Sequence, residues 1–139
     1  MRAIKQLVIH CADTPKGQYF DVDDIRRWHV NERGWSDVGY HFVILLDGTI
    51  QLGRPIAKIG AHVRGHNLES IGICYIGGAN GEDTRTPLQR RSIILLLKTL
   101  LLVFPEVEIL GHRDFKGVSK LCPSFDAKTE YKFIDLIDC

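Results

Sequence analysis

The residues that most directly offer chemistry in this sequence are His10, His112 and Cys122. Two imidazoles and one thiolate make a three-ligand zinc set that leaves the fourth tetrahedral position to water, which is the pattern of a catalytic rather than a structural site. The three lie far apart in the chain, so no local zinc signature is present and the fold must bring them together. On residue types alone an alternative stands. His10 and His112 could hydrogen-bond at strand ends, with Cys122 a small buried hydrophobe.

The elements that would position them can be read from periodicity. Residues 5–11 form a strand apolar on both faces at Leu7, Val8 and Ile9, as in an interior strand covered by helices. Asp21 caps a helix over about residues 21–33, with Asp23 and Asp24 in its first turn and Gly34 as its stop. Residues 41–46 and 49–52 are strands joined by Asp47-Gly48, which predicts a type I′ hairpin. The long aperiodic stretch that follows, up to Ser70, carries His62, Arg64 and His66, and loops of that length are usually functional or disordered.

Residues 71–76 return to strand and leave it through Gly77-Gly78-Ala79-Asn80-Gly81. Thr86-Pro87 opens a long helix that Pro105 closes, residues 107–110 give a last short strand running into His112, and a C-terminal helix covers about residues 125–137. The order implies an α/β fold: a single domain over residues 1–139, with a mixed β-sheet of about five strands and helices on both faces. If the first and last strands are parallel neighbours, His10 and His112 emerge at one sheet edge, where open α/β sheets hold their ligands.

Composition narrows the partners. A chain of 139 residues is the size of one ordinary domain. Eighteen Lys and Arg against 17 Asp and Glu give a net charge of +1, which supplies no field for gripping nucleic acid or an anionic membrane. The longest apolar run, residues 93–104, is interrupted by Lys98 and is shorter than the roughly 20 residues a bilayer span needs. The first ten residues lack the apolar core of a signal peptide, so we expect a cytoplasmic chain that begins near its first strand. Of Cys11, Cys74, Cys122 and the terminal Cys139, we expect reduced thiols, with Cys122 the candidate metal ligand among them.

His10-Cys11, Trp28-His29, Gly34-Trp35-Ser36-Asp37-Val38-Gly39-Tyr40-His41-Phe42, Asp47-Gly48-Thr49, Ser70-Ile71-Gly72-Ile73-Cys74, Gly77-Gly78 and Cys122-Pro123-Ser124-Phe125-Asp126 occur in this order. Together they resemble the zinc-dependent N-acetylmuramoyl-L-alanine amidases, nearest to the small phage lysozymes that are amidases and, beyond them, the peptidoglycan recognition proteins. The resemblance implies one Zn2+ held by His10, His112 and Cys122, with Tyr40 and Lys120 as catalytic helpers. It also implies the reaction, hydrolysis of the amide between the lactyl group of N-acetylmuramic acid and L-alanine in peptidoglycan.

Lys120 would then stand beside the oxyanion that develops on the carbonyl oxygen. Tyr40 would orient the attacking water or relay its proton, while its residue type alone also fits an aromatic packed at a strand start. His62 would line the substrate groove, although a loop histidine is as often solvated, and Arg64 would meet stem-peptide carboxylates, as could Arg54 and Lys58. By alternation His41 faces away from Tyr40 and is structural, and Cys11 points away from the metal. His29 and His66 are expected at the surface. Asp13 and Asp114 could support the imidazoles but read as turn residues.

Three further readings differ in class. One is a module that binds muropeptides without cleaving them, against which Cys122 argues, since members that only bind commonly lack a full ligand set. Another follows from the phage lysozymes, which also restrain an RNA polymerase and so imply a possible polymerase partner. The third is a metal-free structural domain. We expect a monomer.

Overall fold

Three successive apolar residues, Leu7 to Ile9, leave no polar face, and such a strand is stable only between two covered layers. In the computed structural model, which describes residues 2–137, β1 (Gln6–Cys11) pairs in parallel with β4 (Ser70–Tyr75) on one side and with β5 (Glu108–Gly111) on the other. Beyond β4 lies β2 (Phe42–Ile44), also parallel, and β3 (Ile50–Leu52) closes that edge antiparallel to β2. The result is a mixed five-stranded sheet of order β3-β2-β4-β1-β5.

Helices cover both faces. Asp21 accepts hydrogen bonds from the Asp23 and Asp24 N–H groups and starts α1 (Val22–Arg26), which continues as π-helical turns over Arg27–Glu32 until Gly34 takes a φ of 73°. Its Val22 and Ile25 pack on Val43, Leu45 and Cys74. On the opposite face α2 (Pro87–Val103), capped by Thr86, lays Ile93, Leu97 and Leu100 against Leu7, Ile9 and Ile73. Each fully buried side chain of this size stabilises the fold by about 1.5–3 kcal/mol. Among the described residues no helix is long and apolar enough to cross a membrane.

Two expectations are corrected. The hairpin does not turn through type I′ geometry, because Gly48 has positive φ and Asp47 does not. The Leu45 carbonyl accepts from the Gly48 N–H and the Leu45 N–H donates to Thr49, so the loop is a three-residue turn with one left-handed glycine. The Asp47 carboxylate accepts from the Thr49 N–H at 2.9 Å, a local bond that suits a right-handed Asp47.

The expected C-terminal helix is broken into one turn, α3 (Ala127–Glu130), and a 3-10 turn over Ile134–Leu136. Ala127, Tyr131 and Ile134 all enter the core, at spacings of four and then three, and the backbone bonds change period with them. Arg85 pins the break. Its buried guanidinium grips Glu130 through two bonds of 2.7 and 2.9 Å, reaches the Tyr131 hydroxyl at 2.8 Å, holds Asp83, and lies 3.3 Å over the Phe125 ring. Cys139 lies outside the described residues.

Replacing Arg85 with alanine leaves Glu130 and Asp83 facing an emptied pocket. Because both carboxylates retain some water, we expect the low end of the usual range for breaking a buried pair, about 3 kcal/mol, read as a lower urea midpoint with an unchanged slope.

Candidate active site

The parallel register sets Ile9 opposite Gly111, so the residues that follow, His10 at the end of β1 and His112 just past β5, leave the sheet at the same edge. Cys122 arrives there on a loop tied down at several points. The Cys122 carbonyl accepts from the Arg113 N–H at 2.9 Å, Tyr75 donates its hydroxyl to the Pro123 carbonyl at 2.6 Å, and Ser124 donates its hydroxyl to the Gly78 carbonyl at 2.7 Å. A Cβ on Gly111 would come within 2.7 Å of the Pro123 ring, so glycine there is what lets the loop close on the strand.

One ligand atom from each of His10, His112 and Cys122 lies within 4.8 Å of the others. Cys122 Sγ is 3.8 Å from His10 Nδ1, and the His10 and His112 ring centres are 4.7 Å apart. Two nitrogens and a soft sulfur in one cluster are donors that could hold zinc. Burial, reinforced by neighbouring cationic and imidazole groups, lowers both His10 and His112, so each ring is neutral and has a lone pair to give. The Cys122 thiol is pushed up by its hydrogen bond with the Cys11 thiol and by burial, so ionising it calls for a cation. A donor for the resulting thiolate is in place, since the Cys11 N–H points at Cys122 Sγ at 3.2 Å.

All three line an open groove of about 1340 Å³, and so do Tyr40, Lys120, His62 and Arg64. The Tyr40 ring centre is 5.1 Å from that of His10, and burial raises its phenol well above the ordinary value, so at neutral pH it is a hydrogen-bond donor. Lys120 is exposed on the groove wall, close enough that its charge helps lower both His10 and His112. Arg64 is also exposed. His62 sits against His10, Nδ1 to Nε2, at 2.8 Å.

Other assignments divide. His41 is structural as expected, with Nδ1 accepting from the Gly72 N–H and Nε2 bonded to the Lys58 carbonyl. Asp114 is the turn residue it resembled, accepting from the Gly111 N–H. Arg54 is withdrawn from substrate recognition because its guanidinium donates to the Val38, Ile59 and Asp37 carbonyls, and Lys58 does not line the groove. Cys11 does turn into the core, yet its thiol meets that of Cys122 around the strand end.

His29, expected at the surface, is only 6% exposed. Its Nδ1 accepts from the Gly39 N–H at 2.9 Å, and its ring packs between those of Trp35 and Tyr40 beside the groove. The signal was present in the sequence, since positions 22, 25 and 29 share one helical stripe. His66, likewise expected outside, is half-buried with its ring on Phe115. Sequence reading gave no role to Asn67, whose Oδ1 accepts from the His62 and Val63 N–H groups and so shapes the loop at His62.

A mixed sheet with helices on both faces and a groove at the ends of its parallel strands is the α/β arrangement that binds ligands at that edge. The family model described as N-acetylmuramoyl-L-alanine amidase matches residues 1–125, and the chain belongs to that family. It is 39% identical over 135 residues to the endolysin of Enterobacteria phage T3, covering 94% of this chain and 87% of that one. Among solved structures it is similar to the amidase LysC from Clostridium intestinale URNW, with a TM-score of 0.79, 32% identity, and coverage of 93% of this chain and 82% of that one. Drosophila PGRP-LB gives a TM-score of 0.79 at 27% identity, over 96% and 82%.

Burial holds His29 down to about 4 and His62 to about 3, against an ordinary value near 6.5. Unfolded chain therefore binds more protons than folded chain across that window, so stability is complete above about pH 6.5 and is lost as pH falls toward 3. Urea midpoints of the chelator-treated protein should drop from pH 7 to pH 4, and His29→Gln should flatten the slope. A midpoint independent of pH would contradict the buried neutral rings.

Proposed function

We propose that residues 1–139 act as a monomeric amidase domain that uses zinc to hydrolyse the bond between N-acetylmuramic acid and L-alanine in peptidoglycan. The observation that carries this is the open donor set His10, His112 and Cys122 on the groove shared by Tyr40 and Lys120, in a chain of the amidase family. An amide resists hydrolysis because its carbonyl is a weak electrophile and its amine a poor leaving group. Zinc at these donors would supply Lewis acidity toward the carbonyl and hydroxide near neutral pH.

The rest falls to this chain's own side chains. Tyr40 keeps its proton at working pH, so its hydroxyl orients the attacking water or passes a proton beside His10. The Lys120 ammonium faces the carbonyl oxygen as negative charge collects on it, a contribution that depends on its being positioned beforehand. Arg64 meets stem-peptide carboxylates along the groove, and His62 forms part of the wall next to the donors.

The test is mass spectrometry of muropeptides incubated with zinc-loaded protein. Stem peptides with a free L-alanine amine should appear, stop with chelation and return with zinc. Lys120→Ala should lower the rate about a hundredfold to a thousandfold with metal content unchanged, and Tyr40→Phe should lower it without loss of stability. Tight muropeptide binding with no released stem peptide would make the protein a binding module instead.

A further inference from the structure

A neutral imidazole has one N–H and one bare nitrogen, and only the bare nitrogen can hold a cation. At His10 the choice is made by groups farther inside. His10 Nε2 lies 2.8 Å from His62 Nδ1, His62 Nε2 lies 3.2 Å from Ser70 Oγ, and Ser70 Oγ lies 2.8 Å from the His66 carbonyl oxygen.

The direction of this chain is fixed from its far end. A carbonyl only accepts, so the single hydroxyl hydrogen of Ser70 goes to His66, and the Ser70 oxygen is left to accept from His62 Nε2–H. His62 Nδ1 is then bare and accepts from His10 Nε2–H. His10 Nδ1 is left without a proton, and it is the nitrogen that faces Cys122 Sγ.

We propose that His62 is a positioning residue: together with Ser70 and the His66 carbonyl it holds His10 in the Nε2–H tautomer, with Nδ1 bare toward Cys122. This rests on the reading of His10 as a metal ligand and deepens it. Both ring nitrogens of His62 are engaged within the protein, so its contribution reaches the groove through His10 rather than through bonds to substrate.

The surroundings support a site built for this ring. Ser70 is fully buried and His10 is 1% exposed, so water does not compete at these two side chains. The Asn67 amide holds the backbone on which His62 is mounted. Gly72 stands in the middle of β4 without positive φ, a place where glycine weakens a strand. A Cβ there would sit 2.7 Å from His62 Cγ, so the missing side chain is the space the ring occupies.

The experiment combines zinc affinity, by competition with a chromogenic chelator, with long-range 1H–15N NMR of the histidine rings. In metal-free wild-type protein both His10 and His62 should carry their proton on Nε2. His62→Ala should weaken zinc binding about tenfold to a hundredfold, and Ser70→Ala should weaken it in the same direction. His62→Asn should stay close to wild type, because its Oδ1 can accept where Nδ1 does. An Nδ1–H tautomer at His10 in the wild type, or undiminished zinc affinity in His62→Ala, overturns the proposal. A wild type that takes up no zinc overturns the metal reading instead, and the NMR of that same sample still decides the tautomer.

Discussion

Everything at the groove depends on the parallel pairing of β1 with β5. Side chains alternate along a strand, so a slip of one residue in either partner would send His10 or His112 to the other face and leave Cys122 with one imidazole instead of two. The register is guarded by the core. Leu7 and Ile9 point to one layer and Val8 to the other, all fully buried, so packing on both faces holds the strand in its observed pairing. The hydrophobic effect that stabilises the sheet therefore also aims the donors.

The second requirement is that Cys122 be delivered to that edge by a loop, which has no ladder of its own to hold it. The loop borrows rigidity from both neighbouring layers through Tyr75, Gly78 and Arg113, and it is followed by a C-terminal segment locked by Arg85. Arg85 is costly to bury, and the two carboxylates with the Phe125 face offset that cost. The C-terminal segment passes from an α-turn to a 3-10 turn just where Arg85 holds Glu130 and Tyr131.

Much of this was legible residue by residue. Interior strands announced themselves by runs without a polar face and the caps at Asp21 and Thr86 by residue type, whereas residue types alone left the donor set beside a plainer alternative and the family resemblance implied it. The misreadings share a cause. Asp47-Gly48, residues 125–137, His29 and Arg54 were each judged from short-range propensity or charge, while tertiary contacts decided them: a side-chain bond at Thr49, the Arg85 clamp, the Gly39 N–H, and backbone carbonyls that absorbed a guanidinium.

The α/β class, the mixed sheet with covered faces and the residue types available for chemistry can be read from the order of amino acids, because periodicity and capping act over a few residues and are written locally. Which nitrogen of His10 faces Cys122, that His62 and Ser70 stand behind it, and that Gly72 makes room for them emerge once the chain is folded. Those are matters of hydrogen-bond direction between groups distant in the chain, and a proton's place on an imidazole is fixed by whatever the opposite nitrogen meets in space.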